Sequence, residues 1–124
     1  MILAAVVLGV ASYVNAQQPE TVMITLRAKP GAERALADVL ARHYETARRL
    51  ELLSPDAAHV TLRAIDDSEK TYFVEILTWR DGEIPDHAPR EIQAIWQEMN
   101  RLVEARGGRS GLEIVPMTAV NAER

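Results

Sequence analysis

The stretch Thr71–Trp79, TYFVEILTW, decides the fold. β-branched and aromatic residues dominate it, and both of its alternating sets are largely apolar, as a strand in the middle of a sheet requires. A polar turn, Asp66 to Lys70, joins it to His59–Ile65, where Val60, Leu62 and Ala64 alternate with His59, Thr61 and Arg63. Five connecting residues make the two strands a hairpin. Upstream, Thr21–Ala28 alternates in the same way and is stopped by Pro30 and Gly31; downstream, Leu112–Met117 gives a last strand before a polar tail.

Between the strands the apolar period changes to that of helices. From Ala32 to Glu51, residues Leu36, Val39, Leu40, His43, Tyr44, Ala47 and Leu50 form one stripe, while Arg34, Asp38, Arg42, Glu45, Arg48 and Arg49 take the other side. The second helix, within Ala88–Arg106, has the stripe Ile92, Ile95, Trp96, Met99, Leu102 and Val103. Asp86 or His87 is its expected cap, with Pro89 in the first turn and Gly107 and Gly108 at its end. The order is therefore βαββαβ. Right-handed crossovers place both helices on one side of an antiparallel sheet, with the first and third strands central. This is an α+β, ferredoxin-like sandwich of four strands.

The chain has 124 residues, a formal charge of −4 and no cysteine. A domain of about 100 residues buries roughly two thirds of its surface, so a second subunit would add to its stability. Arg residues are spread among acids, which argues against nucleic acid as a partner. Without cysteine there are no disulfides, thiolate metal sites or thiol nucleophiles. Residues 1–16 are almost wholly apolar and end in Val14-Asn15-Ala16, so they read as a signal peptide, although no Lys or Arg precedes the apolar run. The expected organisation is a linker at 17–20, the domain at 21–118, a polar tail at 119–124, and a periplasmic or secreted location. A cytoplasmic protein with an apolar N-terminal extension is the alternative.

If Val22, Ile24, Leu26, Val60, Leu62, Val74, Ile76, Leu112 and Ile114 pack under the helices, the other face carries Met23, Thr25, Arg27, His59, Thr61, Arg63, Phe73, Glu75, Leu77, Trp79, Glu113, Val115 and Met117. That mixture has the composition of a pocket with a few oriented polar groups. Its apolar members predict a two-fold dimer that covers the face.

Glu75, central in the most apolar strand, is a candidate proton acceptor or substrate-orienting anion, or else a structural ion-pair partner of Arg27 or Arg63. His59 on the same face is a candidate base for a phenolic proton, or an edge histidine. Arg27, Arg63, Trp79 and His87 are candidate substrate contacts; Trp79 either stacks on a ligand or closes the core, and His87 either caps the second helix or lines the cavity mouth. His43 reads as a hydrogen-bonded core histidine, and Tyr44, Trp96, Met99 and Leu102 as packing residues. No metal-ligand spacing such as HExxH, phosphate loop or nucleophile elbow is present.

The segments Met23–Gly31 (MITLRAKPG) and Phe73–Arg80 (FVEILTWR), with the helix containing Ile92–Leu102, resemble the antibiotic biosynthesis monooxygenase family of the dimeric α/β-barrel superfamily. The resemblance covers Val22 to about Met117 and rests on apolar patterns with one Trp. It implies a homodimer enclosing a cavity in which a small aromatic or quinol-type compound is oxygenated, often without metal or flavin. Haem-degrading proteins on this fold need a histidine in the second helix and an asparagine in the first strand, and this chain has neither. A non-catalytic dimer that binds small molecules is the competing expectation, since fold does not dictate function.

Overall fold

The computed structural model describes residues 18–120, so the expected signal peptide at 1–16 lies outside the described residues. Along the chain run β1 (Glu20–Arg27), α1 (Glu33–Arg49), β2 (Val60–Ile65), β3 (Thr71–Trp79), a short 3-10 turn (Ile84–Asp86), α2 (Arg90–Leu102) and β4 (Leu112–Met117). The sheet is antiparallel throughout, in the order β2-β3-β1-β4. The βαββαβ sandwich read from the sequence is therefore the observed fold, with β1 and β3 central.

The helix-covered side of the sheet holds the core. Val22, Ile24 and Leu26 of β1 pack with Leu36, Val39, Leu40 and Ala47 of α1, Ile92, Ile95 and Met99 of α2, and Phe73, Leu77 and Trp79 of β3. This corrects the expected faces. The register pairs Ile24 with Glu75, Leu26 with Phe73 and Val22 with Leu77, and directly opposed residues share a face. Phe73, Glu75, Leu77 and Trp79 thus point toward the helices, whereas Val74 and Ile76 take the open side. β2 follows the same parity, because Thr61 opposes Glu75 and Leu62 opposes Val74. A shift of one in side-chain parity exchanges every residue between faces. β1 and β4 have the expected parity.

The open side consequently carries Met23, Val60, Leu62, Val74, Ile76, Val115 and Met117, together with the ion pair of Arg27 and Glu113 at 2.6 Å. Leu62 is 53% exposed and Val115 44%. It is a more apolar face than the one expected.

Two expected helix ends also differ. Neither Asp86 nor His87 caps α2: the residue before its first turn is Pro89, and Asp86 belongs to the 3-10 turn. The helix stops at Leu102 because Val103 is extended and bridges Ala28. Gly107 and Gly108, at φ +60° and +78°, instead turn the chain between the bridged residues Arg106 and Arg109, a left-handed conformation that glycine adopts without a Cβ penalty. From this turn Arg106 reaches back to donate to Asp66 at 2.9 Å and to the Ala28 carbonyl at 2.6 Å, fastening the β2–β3 turn to the end of β1.

Candidate functional site

The site begins at Glu75, in the middle of β3. Placed under the helices by the parity of β3, its side chain is wholly buried. A lone carboxylate there would cost several kcal/mol. The stripe of α1 supplies one partner: His43, seven residues after Leu36 and four before Ala47, faces inward and is also wholly buried. His43 Nδ1 lies 2.9 Å from Glu75 Oε1. His59, immediately before β2, supplies the other, with Nε2 2.9 Å from Glu75 Oε2.

The outer ends of this arrangement are fixed as well. Trp96 of α2 donates its indole N–H to His43 Nε2 at 3.0 Å. Indole nitrogen has no acceptor capacity, so Nε2 is the bare nitrogen of His43 and the proton is on Nδ1, which donates to Glu75. Trp79 packs edge-on against both His43 and Trp96, at ring separations of 5.9 and 6.2 Å. On the other side the His59 ring stacks on Tyr44, with centroids 3.8 Å apart and planes within 14°.

Burial is the strongest single influence on the Glu75 carboxyl and pushes it up. The hydrogen bonds with His43 and then His59, reinforced by the electrostatic attraction of the two rings, outweigh burial and hold it below the ordinary glutamate range. Glu75 is therefore an anion at neutral pH. As an anion it only accepts, so His59 presents Nε2–H to it. No hydrogen bond among the described residues engages His59 Nδ1, so in the neutral ring that nitrogen carries the lone pair.

His59 is only partly buried, with 19% of its side chain exposed. It lines a cleft of about 320 Å³ between α1 and the β2 edge, walled chiefly by Leu40, Tyr44 and Phe73, with Glu45 and Thr61 as further polar members of the lining. The volume is at the small end of ligand pockets, and the walls are mostly apolar with a few polar groups. A neighbouring groove shares Tyr44 and contains Arg48 and Arg80. Those cations are already engaged, Arg48 with Glu45 at 3.1 Å and Arg80 with the Glu51 carbonyl at 2.7 Å.

The expected site residues are thus brought together only in part. Glu75 and His59 meet, but neither Arg27 nor Arg63 pairs with Glu75. Arg27 is on the open side with Glu113, and Arg63 is exposed on the edge strand β2. Trp79 closes the core at 3% exposure, and His87 is exposed after the 3-10 turn, away from the cleft. His43 is the hydrogen-bonded core histidine read from the sequence, whereas its link to Glu75 and the parts played by Trp96 and Tyr44, read as packing residues, are what sequence reasoning missed. The available signal was a histidine inside an apolar stripe, which needs buried polar partners, and among the described residues Glu75 and Trp96 provide them. Among the described residues no group of three or more His, Cys, Asp or Glu is placed to hold a metal ion.

A four-stranded antiparallel sheet with two helices on one face defines the class as ferredoxin-like α+β. Solved structures with the same architecture carry the comparison further. SnoaB, a cofactor-independent oxygenase from Streptomyces nogalater, is similar at a TM-score of 0.61 and 20% identity, over 85% of this chain and 96% of that one. An antibiotic biosynthesis monooxygenase is similar at 0.60 and 20% identity, over 82% and 98%. Rv0793 from Mycobacterium tuberculosis is similar at 0.57 and 12% identity, over 86% and 100%. The resemblance read from MITLRAKPG and FVEILTWR is borne out at the level of the fold. No protein-family model matches the chain, and no curated protein does.

Proposed function

We propose that the protein is a cofactor-independent oxygenase for a small phenolic or quinol-type compound, with His59 as its base and Glu75 as the anion that orients it. The observation that carries this reading is the 2.9 Å contact between His59 Nε2 and a wholly buried Glu75, at the wall of an apolar cleft. The likeness to structures described as oxygenases supports the same class.

In this mechanism the substrate lies against Phe73 and Tyr44, and His59 Nδ1 takes its phenolic proton. A buried carboxylate behind the ring stabilises the imidazolium that forms. The phenolate gives up an electron to dioxygen far more readily than the neutral phenol, and the radical pair combines to a carbon–oxygen bond. His59 returns its proton to the peroxide; loss of the hydrogen on that ring carbon then breaks the O–O bond, leaving a second carbonyl on the ring and releasing water. One phenol and one O₂ become one quinone and one H₂O, with no other electron donor. A positioned base contributes roughly 10²–10⁴-fold to such a step.

The reading includes a homodimer in which the open sheet faces of two copies meet, since Leu62, Val60, Val74, Ile76 and Val115 make that side apolar. Export with removal of residues 1–16 also belongs to it and rests on their composition. In this reading the substrate occupies the cleft within one chain, between its sheet and α1.

Oxygen uptake by the protein with a panel of phenols and hydroquinones tests the proposal. The expected result is one O₂ consumed per quinone formed from a phenol, with one oxygen atom of O₂ in the product and no hydrogen peroxide released, and loss of turnover in His59→Ala. Binding of the panel without oxygen consumption would overturn it and leave a ligand-binding protein.

A further inference from the structure

We infer that Trp96 and His43 are positioning residues that act through Glu75 to dictate which nitrogen of His59 is free to accept a proton. The inference rests on the reading of His59 as the base, and it extends the site across the whole core to α2.

The argument is one of hydrogen-bond direction. Trp96 Nε1 can only donate, and the single atom it meets is His43 Nε2, at 3.0 Å. His43 must therefore show that nitrogen bare and carry its proton on Nδ1, aimed at Glu75 Oε1 at 2.9 Å. Glu75 accepts there as an anion and has its second oxygen left for His59, whose Nε2 is 2.9 Å away. His59 donates from Nε2, and Nδ1 is the remaining lone pair. Reversing any one link sets a donor against a donor or a lone pair against a lone pair inside a dry core, where each mismatch costs more than in water. His43 and Glu75 are wholly buried, so no solvent intervenes to repair one.

The chain also ends in a group that cannot take a proton. Trp96 is a donor at the inner terminus, so a proton acquired by His59 has no inward exit through Glu75 and His43. It stays on the imidazole until it is returned to the bound molecule or to solvent at the cleft. His59 is thereby suited to act as base and then as acid within one turnover, as the peroxide step requires.

Nitrogen-15 NMR of protein labelled at histidine tests the inference directly, with exposed His87, the third of the three histidines, as an internal reference. At a pH where the rings are neutral, His43 is expected to be protonated on Nδ1 and His59 on Nε2, opposite tautomers in one protein. Trp96→Phe keeps an aromatic ring and removes the donor; His43 should then divide between tautomers and the preference of His59 should weaken with it. His43→Gln offers an amide oxygen to Trp96 and an N–H to Glu75, so it should restore the His59 tautomer that His43→Leu loses. In turnover, Trp96→Phe should lower kcat with KM within about threefold of its starting value, the pattern of a group that acts on the step rather than on binding. Identical tautomers in the unaltered protein, or a His59 signal that Trp96→Phe leaves unmoved, would overturn the inference. Opposite tautomers that respond as expected in a protein that never consumes oxygen would uphold the positioning and overturn the oxygenase reading.

Discussion

Replacing Glu75 by Gln separates the charge of the buried carboxylate from its shape. The amide carbonyl can accept from His43 Nδ1 as Oε1 does now, at 2.9 Å. The amide nitrogen then occupies the position of Oε2 and opposes the N–H of His59, 2.9 Å away. His59 relieves the clash by moving its proton to Nδ1, and the lone pair that served the cleft is consumed. A catalytic histidine held in the wrong tautomer loses about 10⁴ in kcat in the serine-protease triad, and removal of a general base costs about 10²–10⁴ elsewhere. We therefore expect kcat to fall by roughly 10²–10⁴. Stability should respond much less. Two charge-assisted hydrogen bonds of about 1.5–3 kcal/mol become neutral ones of about 0.5–1.5. Against that loss, a desolvation cost of several kcal/mol is removed with the charge, so the net change should be within about 2 kcal/mol in either direction. Oxygen-electrode turnover and urea unfolding measure the two quantities. A Gln variant that unfolds at the starting urea concentration and turns over within about threefold of the unaltered protein would refute the role given to Glu75.

Other consequences follow from single features. The Glu75 carboxyl is held below its ordinary value of 4.5, so its contribution is fully present above that pH and is lost as pH falls through the lower folded-state value. The stabilities of the protein and of Glu75→Gln should therefore differ by a constant amount above pH 4.5, and below it the unaltered protein should lose stability relative to the variant; curves that stay parallel below pH 4.5 would contradict the assignment. Leu62→Asp places a charge on the open face without touching the cleft, and light scattering at micromolar concentration should report dimers before the change and monomers after it. A monomeric parent protein would sink the dimer, while monomers that keep turnover would locate the cleft within one chain. At Gly111 an added Cβ would be 2.7 Å from the backbone of Glu104, with no flexible side chain to yield. Gly111→Ala should cost at least about 1–3 kcal/mol in urea unfolding, and a neutral result would show that the loop before β4 can shift.

Element order and strand order were legible because the apolar period switches cleanly between two and 3.6, and because the connections are short. The parity of β3 was not. TYFVEILTW alternates Phe73, Glu75, Leu77 and Trp79 with Tyr72, Val74, Ile76 and Thr78, and each set contains enough apolar surface to line a core. Glu75 tipped the sequence reading toward the uncovered face, since a carboxylate in a core is rarely tolerated unpaired. Its three companions argue the other way, because Phe, Leu and Trp fill the space beneath two helices better than Val, Ile and Thr. The His43 stripe position carried the missing information, but only once joined to that parity: a histidine enclosed by Leu36, Val39, Leu40 and Ala47 needs a polar partner, and β3 offers one if Glu75 turns inward. Pairing Glu75 with Arg27 or Arg63 failed for a related reason. Arg27 is on the opposite face of β1, where Glu113 of β4 is its neighbour, and Arg63 projects from an edge strand into solvent. Two histidines accomplish what an arginine would not. A guanidinium is a fixed cation that would hold Glu75 as a spent ion pair, whereas an imidazole that donates one proton to the carboxylate still has a second nitrogen free. On the His43 side that nitrogen is taken by Trp96, and on the His59 side no hydrogen bond among the described residues engages it, which is the asymmetry on which the proposed proton transfer rests.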